Sequence, residues 1–152
     1  MSLHEGLDDL GTYYQIRKVE STTPILFIHG VGLDHSIWSP QTDFFKNQTT
    51  IVYDLIGHGY STCTQHEVNF EDFSRQIESL LQILRIQKVI IIGFSLGGLI
   101  AAHFSSTRKH YALKTVLFGT IFNRTDEQQK KAAERFTNVQ QTNLNAPQQL
   151  DH

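Results

Sequence analysis

Three observations predict an α/β fold with a mostly parallel, doubly wound sheet flanked by helices. Strand-like and helix-like segments alternate from residue 24 to residue 118. The strand-like segments are short apolar runs such as Val89-Ile90-Ile91-Ile92, without polar alternation, as expected of strands covered on both faces. Right-handed crossovers through the intervening helices turn that alternation into a parallel sheet.

The elements follow in order. Residues 1–11 are polar and read as loosely held. Thr12 to Val19 reads as a strand near a sheet edge, because Gln15, Arg17 and Lys18 interrupt its apolar residues. Pro24 to Ile28 reads as a buried strand ending at His29-Gly30, and residues 30–38 as a loop. Ser39 before Pro40 reads as an N-cap and first helical position, opening a short helix with Phe44 and Phe45 inward. Ile51-Val52-Tyr53 is a third strand, stopping at Asp54, and a glycine-rich loop runs from Leu55 to Ser61.

Asn69 with Asp72 three residues on predicts a capped helix. Phe70, Phe73, Ile77, Leu80, Leu81 and Leu84 place one apolar stripe along it. That helix returns the chain to the strand at 89–93. A buried helix follows Ser95 and ends near 105–110, and residues 113–118 form a further strand ending at Gly119. From 124 the character changes. Residues 126–136 read as a polar helix reaching towards Val139, and 140–152 are rich in Gln and Asn with almost no core residues. The organisation is therefore 1–123 as a core and 124–152 as a polar helical segment.

Composition limits the function classes. A formal charge of −2 over 152 residues gives no basic footprint for nucleic acid or for a membrane surface. No apolar run approaches the ~20 residues needed to span a bilayer, and no signal peptide is apparent. The single cysteine, Cys63, has no internal disulfide partner, which fits a reducing compartment and a cytoplasmic location. The histidines and carboxylates lack metal-ligand spacing, so neither a metal nor a cofactor is expected.

The chemistry concentrates in Gly93-Phe94-Ser95-Leu96-Gly97-Gly98, between a buried strand and a buried helix. A serine at the apex of so sharp a turn has its hydroxyl lifted clear of the sheet, the arrangement of a nucleophile elbow. Small residues are required two positions before and after it, where backbones approach closely. The turn also directs the Leu96 N–H towards the place where an oxyanion would form. The loops 30–32, 54–61 and 119–123 converge on the same sheet edge, where ligands bind in such sheets.

Three motifs together resemble the α/β-hydrolase family: His29-Gly30-Val31-Gly32, Asp54-Leu55-Ile56-Gly57-His58-Gly59-Tyr60-Ser61, and the serine turn. Residues 29–38 with Gln41 look most similar to enol-lactonases and related carboxylic-ester hydrolases. The resemblance covers about residues 12–123. It implies Ser95 as nucleophile and the N–H groups of Val31 and Leu96 as oxyanion donors. His29, Gly30 and Gly32 would shape the oxyanion loop, and Gly93 and Gly97 would permit the turn. It implies a small-molecule ester or lactone substrate and an acyl-enzyme.

In this family a catalytic acid and then a histidine follow the nucleophile. No residue after 118 matches either. Asp126 is a weak candidate acid, Asp54 precedes Ser95 and so has the wrong order, and His152 has no strand to position it. His29, His58, His103 and His110 read as structural, and His35 as a residue that could line a pocket. The chain thus reads as the N-terminal part of a longer hydrolase, with 124–152 as the start of a cap region. The alternative is a non-catalytic hydrolase-like remnant or interaction module. In either case the open sheet edge is a site for a partner or for self-association.

Overall fold

The computed structural model describes residues 2–63, 67–121, 123 and 125–145. The chain forms two compact units, Met1–Thr120 and Ile121–His152.

The first unit carries β1 (Ser2–Leu7), β2 (Tyr13–Lys18), β3 (Ile25–Ile28), a 3₁₀ turn (His35–Trp38), α1 (Ser39–Phe44) and β4 (Thr50–Tyr53). These are followed by α2 (Phe70–Ile83), β5 (Val89–Phe94), α3 (Leu96–Thr107) and β6 (Ala112–Phe118). The sheet order is β1-β2-β4-β3-β5-β6. β1 pairs antiparallel with β2, and β2 antiparallel with β4, while β4, β3, β5 and β6 run parallel. β3 lies between β4 and β5, with Phe27 opposite both Val52 and Ile92 and Ile28 opposite Gly93.

Successive strand residues point to opposite faces. On β3, Leu26 and Ile28 therefore enter one core with Ile51, Tyr53, Ile91, Ile77, Leu80, Leu81, Ile100 and Phe104, under α2 and α3. Ile25 and Phe27 enter a smaller core with Val52 and Trp38, joined by Phe45 and Phe94. Each fully buried Leu or Ile of the larger core contributes roughly 2 kcal/mol by leaving water.

The Asn69 cap forms in full: the Asp72 N–H donates to Asn69 Oδ1 at 2.9 Å and the Asn69 N–H to Asp72 Oδ2 at 2.9 Å. Phe73, Ile77, Leu80 and Leu81 are buried as their spacing predicts. Phe70, in the first turn, is instead half exposed and stacks on His103.

Four expectations need correction. Residues 2–7 are not loose: they form β1, whose backbone pairs with β2 from Ser2↔Lys18 to Leu7↔Tyr13. Backbone pairing needs no apolar side chains, so this polar segment gave little signal. In consequence β2 is an inner strand and β1 the edge. Ser39 does not cap α1; it is already helical (φ −51°, ψ −46°) because the helix continues from the 3₁₀ turn, which Asp34 caps through the Ser36 N–H. Phe44 is 80% exposed, and of the two phenylalanines only Phe45 turns inward, against Phe27.

In the second unit α4 runs Asp126–Asn145, longer than the polar pattern predicts. Residues 146–152, His152 among them, lie outside the described residues. No helix among the described residues is long and apolar enough to cross a membrane.

Candidate active site

Ser95 occupies the turn between β5 and α3 at φ 54°, ψ −117°. A residue with a Cβ rarely adopts this region, and holding it costs about 1–3 kcal/mol. The surroundings hold it from three sides. The Ser95 N–H donates to Phe118 O at 2.9 Å, while Ser95 O accepts from the Gly98 N–H at 3.0 Å and from Thr120 Oγ1 at 3.3 Å.

The neighbouring glycines have steric causes. A Cβ on Gly93 would sit 2.2 Å from Gly97 O, and one on Gly97 would sit 2.2 Å from Ile28 O. A Cβ on Gly98 would sit 1.7 Å from Thr120 Oγ1. The helix therefore starts in van der Waals contact with the ends of β3 and β5. Leu96, its first residue, has an N–H with no acceptor inside the helix.

Gly30 lies against the serine: a Cβ there would be 3.3 Å from Ser95 Cβ. The loop His29-Gly30-Val31-Gly32 is joined to the 54–61 loop by two imidazoles. His29 Nε2 accepts from the Leu55 N–H at 3.0 Å, and its Nδ1–H donates to Gly30 O at 2.7 Å. His58 Nε2 accepts from the Gly32 N–H at 3.1 Å, and its Nδ1–H donates to Ile56 O at 3.0 Å. Both rings are buried. Burial pushes the His29 imidazole down to about 4 and lowers that of His58 as well.

Asp54 braces this edge. It is fully buried, and Oδ1 accepts from the His35 N–H and from His35 Nδ1–H, both at 2.8 Å. Oδ2 accepts from the Tyr60 N–H at 2.9 Å. Gln76, a buried polar residue of α2, donates to Asp54 O at 3.0 Å and accepts from the Ile56 N–H at 3.3 Å. Asp34, His35 and Asp54 bring three ligand-type groups within 4.8 Å of one another. His35 and Asp54 are hydrogen-bonded to each other, and Asp34 Oδ1 accepts from the Ser36 N–H at 2.8 Å.

Ser95, Leu96, His29, Gly30, Gly93 and Gly97 thus gather at one edge of the sheet, with Val31 and Gly32 on the adjoining loop. Four described histidines are committed elsewhere: His29 and His58 to the loops, His35 to Asp54, and His103 to Ser74 Oγ at 2.7 Å. Thr120 and Gln76 escaped sequence reasoning. The signal for Gln76 was a polar residue inside an apolar helical stripe; Thr120 offered none.

A family model described as alpha/beta hydrolase fold matches residues 23–151. The (E)-2-((N-methylformamido)methylene)succinate hydrolase of Acinetobacter baylyi is 29% identical over 122 residues, covering 80% of this chain and 46% of that protein. The 3-oxoadipate enol-lactonase 1 of the same organism is 34% identical over 88 residues, covering 57% of this chain and 33% of that one. Among solved structures, a variant of the N-acyl homoserine lactonase AidH with N-hexanoyl homoserine superimposes with a TM-score of 0.69 at 26% identity, covering 78% of this chain and 45% of that one. The chain spans less than half the length of these relatives. It belongs to the alpha/beta hydrolase fold family and carries the N-terminal portion of that fold.

Proposed function

We propose that this chain supplies the nucleophile and oxyanion half of a serine hydrolase acting on a carboxylic ester or lactone. The observation that carries this reading is the Ser95 turn, held at positive φ with Gly30 of the oxyanion loop against it. Ser95 Oγ attacks the substrate carbonyl carbon as its proton passes to a base. The N–H groups of Leu96 and Val31 receive the oxyanion. Collapse of the tetrahedral intermediate re-forms the carbonyl and breaks the bond from the acyl carbon to the leaving oxygen, which takes the proton back from the base. In a lactone that oxygen stays tethered to the acyl group. Water then releases the acyl group from Ser95.

The base and its acid come from outside residues 1–123, and residues 124–152 begin a cap. The lactone preference is supported by relatives named as an enol-lactonase and a homoserine lactonase. The reducing compartment suggested by the single cysteine makes the cytoplasm the proposed location.

A second reading, a non-catalytic module, is favoured by one observation. On β6, Leu113, Val116, Leu117 and Phe118 are all exposed at the sheet edge. In that reading a partner polypeptide pairs with the edge. Fluorophosphonate labelling and p-nitrophenyl acetate turnover separate the two. Signal in the wild type that is lost in Ser95→Ala supports the hydrolase. Equal signals in both would remove Ser95 as nucleophile and favour the module. Even without a complete triad, an oxyanion hole and binding leave roughly 10³–10⁴-fold over water, which is measurable.

A further inference from the structure

We propose that His29 and His58 are positioning residues that aim the Val31 N–H by pinning the peptide group on each side of the Val31 Cα. This rests on the reading of Val31 as an oxyanion donor. The proton positions follow from the hydrogen bonds themselves. Gly32 and Leu55 can only donate through their backbone N–H groups, so His58 Nε2 and His29 Nε2 must be unprotonated acceptors. Each neutral ring therefore carries its proton on Nδ1.

The carbonyl that His29 Nδ1–H holds is Gly30 O, at 2.7 Å, where it supplements a longer bond from the Leu33 N–H at 3.3 Å. That oxygen belongs to the same peptide group as the Val31 N–H. In a trans peptide the two point in opposite directions, and no cis bond occurs here. Fixing the Gly30 carbonyl therefore fixes the direction of the Val31 N–H. A hydrogen bond to the carbonyl also polarises the N–H for donation. The next peptide group, from Val31 to Gly32, is held through its N–H by His58. Among the described residues no protein acceptor takes the Val31 N–H itself.

The arrangement is reciprocal. His29 stands on the oxyanion loop and grips Leu55 of the 54–61 loop; His58 stands on that second loop and grips Gly32 of the first. The ring centroids are 5.2 Å apart. Asp54, Asp34 and the partner imidazole are the titratable groups acting on His29, and Asp54 acts on His58. From α2, the uncharged Gln76 hydrogen-bonds to the 54–61 loop, and the charged Asp72 and Arg75 line a cavity with Ile56 of that loop. Protonating either ring puts a proton on Nε2, so that N–H faces N–H and the grip on the opposite loop is lost.

The test is NMR on the full ¹⁵N-labelled chain, reading the ring tautomers, the residual dipolar coupling of the Val31 N–H and amide exchange. Wild type should show the Nδ1–H form at both rings and slow exchange at Gly32 and Leu55. Substitutions that return the needed atom should rescue the aim. His58→Gln restores an acceptor at the ε position, and His29→Asn restores a donor at the δ position for Gly30 O. Both should keep the Val31 coupling. His58→Ala and His29→Ala should change it, and His58→Ala should speed Gly32 exchange by at least about tenfold. The Ile91 amide, in β5, reports whether each variant is folded. Wild type at falling pH gives the same readout without substitution, with Gly32 and Leu55 protection lost while Ile91 stays protected. An Nε2–H tautomer at either ring, or an unchanged Val31 coupling in the folded alanine variants, would overturn the proposal. Fluorophosphonate labelling runs in parallel. A change in the Val31 coupling with no labelling even in the wild type would leave the clamp standing and overturn Ser95 as the nucleophile.

Discussion

The Ser95 turn and the β6 edge are neighbours in the sheet, with Gly93 opposite Leu117 and Phe94 opposite Phe118, yet they are held in opposite ways. At the turn a Cβ on Gly93, Gly97 or Gly98 would collide with a neighbouring atom, and the Ser95 backbone has four hydrogen-bond partners, Phe118, Gly98, Leu99 and Thr120. Along β6 every residue from Leu113 to Phe118 is exposed, four of them large and apolar. The contrast separates the two halves of the proposed chemistry. The positioning half is closed by contacts within residues 1–120, whereas the sheet stops at an edge that contacts within that unit leave uncovered.

The largest expected break is on the turn side. Gly97→Val places a Cβ 2.2 Å from Ile28 O and 2.5 Å from His29 O, so the start of α3 must leave β3. Backbone does not yield as a flexible side chain would, and a loss of at least about 4 kcal/mol is expected in urea unfolding. A variant with the wild-type midpoint would show that the turn is looser than its contacts imply.

Acid attacks the same side more gently. His29 is held at about 4, below its ordinary value of 6.5, by burial. The unfolded chain therefore binds this proton more readily than the folded one. The stability from the neutral imidazole is fully present above pH 6.5 and is lost as pH falls from 6.5 to about 4. The loss amounts to roughly 3 kcal/mol. It is measured as the wild-type pH dependence of unfolding minus that of His29→Asn. Identical pH dependence in the two proteins would contradict the assignment.

The smallest effect is expected at the edge. Leu117→Lys changes a side chain that is 48% exposed, and stability should move by no more than about 0.5 kcal/mol. Unfolding of this variant would mean that the edge is part of the core and would erase the contrast.

Much of this was legible in advance, for identifiable reasons. Strong local periodicity located α2 and its Asn69–Asp72 cap, and the β-branched run located β5. The glycine spacing around Ser95 anticipated the close approach of Gly93 and Gly97 to neighbouring backbone. Signals without local periodicity were missed. β1 is polar and stabilised by pairing with β2; Phe44 and Phe45 look alike in sequence, but the short helix exposes one and buries the other. Asp54 precedes Ser95 and so has the wrong order for a catalytic acid of this family; in the structure it anchors the His35 and Tyr60 backbone N–H groups.

By itself, the sequence determined the alternating α/β order, the parallel core strands and a serine flanked by the only residues its turn can accommodate. Those features depend on side-chain periodicity and on Cβ sterics, which act over a few residues. Only the tertiary structure decided that two histidines 29 residues apart exchange grips between two loops. It likewise decided that Gly30 rests on Ser95. Those outcomes depend on which strand ends lie side by side, and the order β4-β3-β5-β6 brings together loops that are distant along the chain.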